Sequence, residues 1–257
     1  MLRRLALVAL LVCGGCAGGG GEEPDPFAYE RNAPLLVSVA DEQSAGGVEI
    51  VDASFAAAGR RVDVWVVSPR RPGPHPVILF QHGGGSSRND FLDEAAALAE
   101  RGATGILLQA PDRPSIRGGV VANVVAWRRV LDWVEEQQRL DGSRIAFVGI
   151  SYGAAIGGDL AGADDRVSTF VLMSGPPRWR GAGVSDLEPE DWVGKSDARF
   201  LFQIGRRDDV VPPADAQQLY GAAPETKELR RYDAGHVLNE GAQQDRIRWL
   251  SARLGLG

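Results

Sequence analysis

The apolar residues of this chain change their spacing along its length. Two segments, over about 48–55 and 61–67, alternate apolar with polar side chains on either side of a short turn, which predicts an antiparallel hairpin with one buried face. The apolar runs that follow are short and uninterrupted, as in Val77–Phe80, and this pattern is typical of parallel strands that helices cover on both faces. Further strands are predicted over 104–109, 144–149, 167–174, 199–204 and 227–232.

Helical periodicity fills the stretches between these strands. Within 120–139, for example, Val124, Trp127 and Leu131 share one apolar stripe. Helices are predicted over 89–101, 120–139, 152–163, 213–221 and 238–254. Strands that alternate with helices imply right-handed crossovers, so we expect an α/β fold: a doubly wound, mostly parallel sheet of about eight strands with an antiparallel N-terminal hairpin.

Length and charge narrow the classes of function. The chain has 257 residues, enough for one α/β domain, to which we assign residues 35–257. The net charge of −6 and the lack of any Lys/Arg run longer than a pair argue against a nucleic-acid partner. The three histidines, His75, His82 and His236, lack metal-binding HExxH spacing and no Cys/His cluster occurs, so we expect no metal and no other cofactor.

The first 16 residues have the layout of a secretory signal peptide. Two arginines precede an apolar core, Leu5–Val12, which is far shorter than the ~20 residues that a transmembrane helix needs. Cys16 follows two glycines and resembles the lipidated cysteine of a bacterial lipobox, although Cys13 stands where leucine is usual. We expect residues 17–34 to be a flexible tether, and the protein to be exported and anchored to a membrane by a lipid on Cys16. A soluble periplasmic or secreted protein is the alternative.

A serine stands at the junction of a predicted strand and a predicted helix. Ser151 lies between Gly149 and Gly153 in a G-x-S-x-G pattern, the context of a nucleophile elbow, where a sharp turn lifts the serine hydroxyl clear of the sheet. Serine is also a favoured helix N-cap and glycine a favoured turn residue. The pattern therefore leaves two roles open for Ser151, nucleophile or cap.

A serine nucleophile needs a base, and one histidine suits this role. His236 comes after the last predicted strand, where ligands bind in open α/β sheets. His82 precedes a glycine run on the side where the reacting oxygen would be bound, and His75 stands between prolines in a predicted surface approach to a strand. We therefore take His236 as the general base.

The base in turn needs a carboxylate to fix its tautomer. Asp208, after the strand predicted over 199–204, is our candidate, with Asp209 in reserve. Asp233 is near His236 in sequence and is interpreted as a turn residue. The order Ser, Asp, His along the chain is the one expected for this type of elbow.

An attack on a carbonyl group also requires donors for the oxyanion. We expect one donor to be the backbone N–H of Tyr152 and the other to be that of Gly84, with Gly85 as second choice, in the "HGGGSS" loop. The loop lacks the ending of a P-loop and is not a GxGxxG motif, which argues against nucleotide binding.

Four segments together resemble a known family. They are "VILFQHGGG", "DGSRIAFVGISYGAAIG", "GRRDDVVP" and "AGHVLN". Over roughly residues 48–254 the chain resembles the α/β-hydrolases, in particular the dienelactone hydrolase and prolyl-oligopeptidase-like branch. The resemblance implies the α/β-hydrolase fold and a hydrolase that uses Ser151, Asp208 and His236 without a cofactor. Dienelactone hydrolases proper have a nucleophilic cysteine, and the serine here favours ordinary ester chemistry.

The expected function is that of a serine carboxylesterase. The segment 175–198, where many relatives insert a lid, is short and rich in Gly, Pro and charge, so we expect an open site for small or polymer-attached esters. The alternatives are a peptidase or amidase with the same triad, or a binding lipoprotein without catalysis.

Four further side chains have two possible roles each. Trp179 and Trp192 could line the pocket or pack against the domain. Arg113 and Arg117 could meet an acidic substrate or lie in a solvated loop.

Overall fold

The computed structural model describes residues 25–57, 59–111, 115–181 and 183–257. The predicted signal peptide, Cys16 and the first part of the predicted tether lie outside the described residues and stay predictions. Within the described part of the chain, no helix is both long and apolar enough to cross a membrane.

The domain is built on one nine-stranded sheet in the order β1-β2-β3-β5-β4-β6-β7-β8-β9. The first three strands and the β3–β5 pair are antiparallel, and all pairs from β5 to β9 are parallel. The strands are β1 (Ser38–Ala45), β2 (Val48–Ala57), β3 (Arg60–Pro69), β4 (His75–Gln81), β5 (Thr104–Leu108), β6 (Leu140–Ile150), β7 (Thr169–Met173), β8 (Arg199–Gly205) and β9 (Lys227–Tyr232). The expectation of a doubly wound, mostly parallel α/β sheet with an antiparallel N-terminal part is confirmed.

In the described part of the chain, six α-helices connect or cover these strands. They are α1 (Leu92–Glu100), α2 (Ile116–Glu136), α3 (Tyr152–Ala163), α4 (Pro189–Val193), α5 (Pro213–Ala222) and α6 (Glu240–Leu254). Helix α2 begins where the Ser115 hydroxyl accepts a hydrogen bond from the Gly118 N–H at 3.1 Å. Its predicted stripe, which includes Val124, Trp127 and Leu131, is fully buried.

The parallel strands bury both of their faces, as their uninterrupted apolar runs predicted. On one face Phe147, Phe170 and Phe200 are register neighbours on β6, β7 and β8, and their rings are 5.7 and 5.2 Å apart. The next residues in each strand point to the opposite face, where Val148 and Val171 lie in a second core under α1 and α6. Two packed layers on one sheet hold the strand ends, and hence the loops after them, in fixed positions.

Two short elements are absent from the sequence prediction. Strand β1 is exposed along its whole length, so it lacks the apolar alternation that indicates a half-buried strand, and it adds a ninth strand at the edge of the sheet. Helix α4 has only five residues, within the segment predicted as a plain connection.

The predicted tether over 17–34 is wrong for its final part. Phe27 is 0% exposed, and its ring meets that of Trp192 edge-on at 4.8 Å. The Tyr29 hydroxyl donates to Asp132 at 2.9 Å, and the Arg129 guanidinium donates to backbone carbonyl groups of this segment. Residues 25–33 are therefore part of the folded domain, because a buried aromatic ring and these hydrogen bonds outweigh the disorder that a Pro-rich and acidic composition favours.

Candidate active site

The predicted site residues all follow parallel strands at one edge of the sheet. The glycine loop follows β4, Ser151 follows β6, Asp208 follows β8 and His236 follows β9. Parallel strands end at a common edge, so these four loops lie on the same side of the domain.

Ser151 occupies a strained turn between β6 and α3. Its backbone angles are φ 55° and ψ −116°, a conformation that non-glycine residues rarely adopt. A Cβ on Gly149 would lie 2.3 Å from the Gly153 carbonyl oxygen, and a Cβ on Gly153 would lie 2.3 Å from the Gln81 carbonyl oxygen. Both glycines are therefore required for the strand, the turn and the helix to pack this closely.

Ser151 does not act as a side-chain cap. It stands at the N-cap position of α3, but its hydroxyl makes no capping hydrogen bond. Its backbone N–H donates to the Met173 carbonyl at 2.8 Å, which fixes the turn against β7. The cap alternative that the sequence left open is wrong, and the hydroxyl of this half-buried serine remains available for chemistry.

The structure brings Asp208 and His236 into direct contact. Nδ1 of His236 lies 2.9 Å from Oδ2 and 3.0 Å from Oδ1 of Asp208. Oδ1 also accepts the Val210 and Val211 N–H groups at 3.0 and 2.9 Å. Burial raises the pKa of Asp208, but the hydrogen bonds from His236 and from the two N–H groups outweigh this effect and lower its pKa below the ordinary value.

A carboxylate can only accept hydrogen bonds, so the contact with Asp208 requires the proton of a neutral His236 ring to be on Nδ1. Nε2 is then left unprotonated and able to accept a proton. The backbone of His236 is also held in place, because the Ser174 hydroxyl donates to the His236 carbonyl at 3.3 Å.

A glycine at the end of β8 allows the two loops to meet. A Cβ on Gly205 would lie 2.1 Å from the Gly235 carbonyl oxygen, so any larger residue would push the loop of His236 away. The loops are also joined by backbone hydrogen bonds: Arg206 donates to Tyr232 at 2.8 Å and Arg207 donates to Ala234 at 2.9 Å.

The other carboxylates and histidines weighed from the sequence lie elsewhere. Asp209 is exposed, and Asp233 is an exposed residue paired with Arg207 at 2.5 Å. His75 lies at the amino end of β4, the edge opposite to Ser151, and is 4% exposed with its Nε2 atom 3.0 Å from the Arg71 carbonyl. The expectation that His75 is a surface residue is therefore wrong, because β4 is covered on both faces.

The glycine loop after β4 packs against the Ser151 turn. A Cβ on Gly83 would contact Cβ of Ser151 at 3.7 Å, and one on Gly84 would contact Cβ of Tyr152 at the same distance. Residues 83–86 form a turn in which the Ser86 N–H donates to Gly83, and Gly85 has the positive φ of 73° that glycine tolerates. Gly84, the predicted oxyanion donor, thus lies beside Tyr152.

The N–H of Tyr152 lies at the start of a helix. Tyr152 is the first residue of α3, and the N–H groups of a first helical turn have no acceptor inside the helix. The positive end of the helix dipole favours an anion at this position.

His82 joins the glycine loop to the loop after β5 through two hydrogen bonds. Its Nε2 accepts the Ala110 N–H at 3.0 Å, so its proton is on Nδ1, which donates to the Gly83 carbonyl at 2.7 Å. Burial lowers the pKa of this histidine, against smaller opposing effects of the Gly83 carbonyl and Asp90, which favours the neutral ring. The sequence analysis expected His82 on the oxyanion side of the site. It did not predict the hydrogen bonds of His82 to Gly83 and Ala110, which lie in two different loops, because no sequence pattern indicates them.

Comparisons with known proteins identify the family of this chain. A family model described as "Alpha/beta hydrolase family" matches residues 77–225, more than half of the chain. The chain belongs to the alpha/beta hydrolase family. The family expected from the sequence motifs is thus confirmed.

Relatives of known structure share the fold of this alpha/beta hydrolase. An acetyl xylan esterase from Paenibacillus sp. R4 is 21% identical with a TM-score of 0.77, and the match covers 86% of this chain and 90% of that one. A protein from Klebsiella pneumoniae subsp. pneumoniae, provisionally described as a dienelactone hydrolase, is 17% identical with a TM-score of 0.70, over 82% and 99% of the two chains.

A curated relative by sequence is an uncharacterized protein of Mycobacterium tuberculosis. The two sequences are 27% identical over an alignment of 188 positions, and the match covers 66% of this chain and 65% of that protein. The match therefore spans less than two thirds of the relative.

A cleft of about 610 Å³ lies beside the glycine loop of this alpha/beta hydrolase. Its walls include Gly84, Gln109, Ile116 and Tyr152. Among residues 25–57, 59–111, 115–181 and 183–257, no three His, Cys, Asp or Glu side chains cluster as metal ligands would.

Three of the four side chains with two possible roles contact other residues of this domain. Trp179 and Trp192 are each 9% exposed and belong to the core, which is the packing alternative. Arg117 pairs with Asp186, with one of its nitrogens 2.8 Å from a carboxylate oxygen. Arg113 lies outside the described residues.

Proposed function

We propose that this alpha/beta hydrolase is a serine carboxylesterase that forms an acyl-enzyme on Ser151. The observation that carries the proposal is the contact between the His236 ring and the buried Asp208 carboxylate. This contact lies at the same sheet edge as the Ser151 hydroxyl, which makes no capping hydrogen bond. A nucleophile, a base and the group that orients the base are then available together.

In the proposed cycle, His236 Nε2 accepts the Ser151 hydroxyl proton while Oγ bonds to the ester carbonyl carbon. The carbonyl electron pair moves onto oxygen, and the N–H groups of Tyr152 and Gly84 stabilise that oxyanion. When the carbonyl re-forms, the bond to the alkoxy oxygen breaks, and this oxygen takes the proton from His236. A water molecule then repeats the sequence on the acyl-enzyme and releases the carboxylic acid and the free serine.

Two features support an ester with a small acyl group as substrate. One neighbour in fold is described as an acetyl xylan esterase, and acetyl xylan is a polysaccharide that carries small acetyl esters. Among the described residues of the segment 175–198, the only helix or strand is the five-residue helix α4, which packs on α3, so a bulky polymer would retain access to the cleft.

The ester assignment predicts a substrate preference. We expect a greater kcat/KM for para-nitrophenyl acetate and acetylated sugars than for aminoacyl anilides, because resonance stabilises an ester less than an amide and because a phenolate or alkoxide leaves more readily than an anilide anion. An anilide preference would instead favour the peptidase or amidase alternative. A folded protein that fails to react with a fluorophosphonate probe would favour the binding role without catalysis.

We also propose, on the sequence of residues 1–16 alone, that the protein is exported and anchored by a lipid on Cys16. In bacterial cells, the wild type and a Cys13→Ala control should partition into the detergent phase, while Cys16→Ala should move to the aqueous phase. Equal partition of all three proteins would contradict the anchor and leave a periplasmic or secreted protein.

A further inference from the structure

Helix α3 carries a buried carboxyl group that takes no part in the proposed cycle. Asp159, on α3, is 0% exposed. Its Oδ2 accepts the indole N–H of Trp179 at 3.0 Å, and its Oδ1 has no hydrogen-bond partner among the described residues. A buried carboxyl group with one free oxygen is costly, so its presence requires an explanation other than packing.

Trp179 connects this carboxyl group to the cleft. Its backbone N–H donates to Glu188 Oε2 at 2.7 Å, so both N–H groups of this residue bind carboxyl oxygens. Its ring meets the Tyr152 ring at a centroid distance of 5.3 Å and an angle of 60°, an edge-to-face contact.

The Tyr152 ring is held from its other end by α2. Nδ2 of the fully buried Asn123 donates to the Tyr152 hydroxyl at 3.3 Å. The ring thus lies between Trp179 and Asn123, and it belongs to a residue that lines the cleft and whose N–H is the proposed oxyanion donor. A shift of the ring would change the shape of the cleft next to Ser151.

We propose that Asp159 is a positioning residue, which holds the Trp179 indole and through it fixes the Tyr152 ring as one wall of the substrate cleft. The kinetic test of this inference rests on the proposed function, because it measures ester hydrolysis. The spectroscopic test does not.

The chemistry of the site identifies the matched variant. Burial raises the pKa of Asp159 well above its ordinary value, and the nearby Glu188 carboxylate acts in the same direction, against the smaller effect of the Trp179 hydrogen bond. The neutral acid is therefore favoured, and asparagine has nearly the same shape and the same acceptor oxygen. Leucine has a similar volume but no acceptor.

The kinetic test compares Asp159→Asn with Asp159→Leu. For para-nitrophenyl acetate we expect Asp159→Leu to raise KM roughly tenfold while kcat stays within about twofold, and Asp159→Asn to keep both values within about twofold of the wild type. Asp165→Leu, an exposed aspartate just after α3, is the control and should change neither value. An unchanged KM in Asp159→Leu, or an equal defect in both variants, would overturn the proposal.

The spectroscopic test does not need activity. In ¹H–¹⁵N spectra, with the Trp179 indole assigned by Trp179→Phe, its N–H should exchange slowly in the wild type and in Asp159→Asn. In Asp159→Leu it should exchange fast, and the Tyr152 ring resonances should shift. If the wild type hydrolyses no ester, the proposed function fails while these spectra still decide the inference.

Asp159→Leu could fail to fold, and a second variant covers that outcome. Trp179→Leu removes the indole from the connection between β7 and α4 without changing α3, and it should produce the same rise in KM and the same shift of the Tyr152 resonances. Unshifted Tyr152 resonances in this variant would contradict the inference.

Discussion

Replacing Ser151 by alanine should lower kcat for ester hydrolysis by about 10⁶-fold, the scale seen when a triad nucleophile is removed. The substitution deletes the hydroxyl that forms the acyl-enzyme. It leaves the turn in place, because the fold depends on the Ser151 backbone and its flanking glycines and not on a side-chain cap. Steady-state kinetics with para-nitrophenyl acetate, with a fluorophosphonate probe as a second measure, would check it.

The control for this variant is Ser143→Ala. Ser143 is an exposed serine near the amino end of β6, the strand that precedes Ser151. The control therefore makes the same serine-to-alanine change at the edge of the sheet opposite to Ser151. It should leave kcat unchanged. A loss of only about tenfold in Ser151→Ala would mean that Ser151 is not the nucleophile.

Replacing Asp208 by asparagine should lower kcat by about 10⁴-fold, the scale measured for the equivalent change in a serine protease triad. An asparagine carbonyl could keep accepting the Val210 and Val211 N–H groups, so its NH₂ group would face His236 Nδ1 as a donor. The imidazole would then carry its proton on Nε2 and could no longer accept the Ser151 proton. Single-turnover and steady-state kinetics would measure the loss.

Asp209→Asn is the matched control, since Asp209 is the adjacent aspartate and is exposed. We expect it to retain wild-type kcat, and Asp208→Asn to retain the wild-type melting temperature to within a few degrees. A large loss in Asp209→Asn with full activity in Asp208→Asn would exchange the roles of the two residues and contradict the assignment made here.

Much of the site was predictable because its signals are local. Ser151 is identified by one glycine two residues before it and one glycine two residues after it. The clashes that a Cβ would make at Gly149 and at Gly153 give the steric reason for that spacing. Asp208 and His236 each follow an apolar run, and parallel strands bring their carboxyl ends to one edge. Chain order and strand type were therefore sufficient to name them.

The features that the sequence missed depend on contacts between distant segments. Strand β1 is defined only by its pairing with β2, since none of its own side chains is buried. Phe27 lies in a stretch of polar and Pro-rich composition, and its burial depends on core residues far away in the chain, among them Trp192. Likewise, Asp159 appears as one polar residue in a helix until Trp179, 20 residues later in the chain, provides its hydrogen bond.

The sequence by itself determined the alternation of strands and helices, the Ser151 turn and the chain order of the proposed triad. These properties follow from apolar periodicity and from steric limits within a few residues. Only the tertiary structure decided that Asp208 contacts His236, that Ser151 is not a cap, and that residues 25–33 join the domain. It also showed that Trp179 and Asn123 contact the Tyr152 side chain. Those outcomes depend on distances and burial between segments far apart in the chain, which local patterns do not specify.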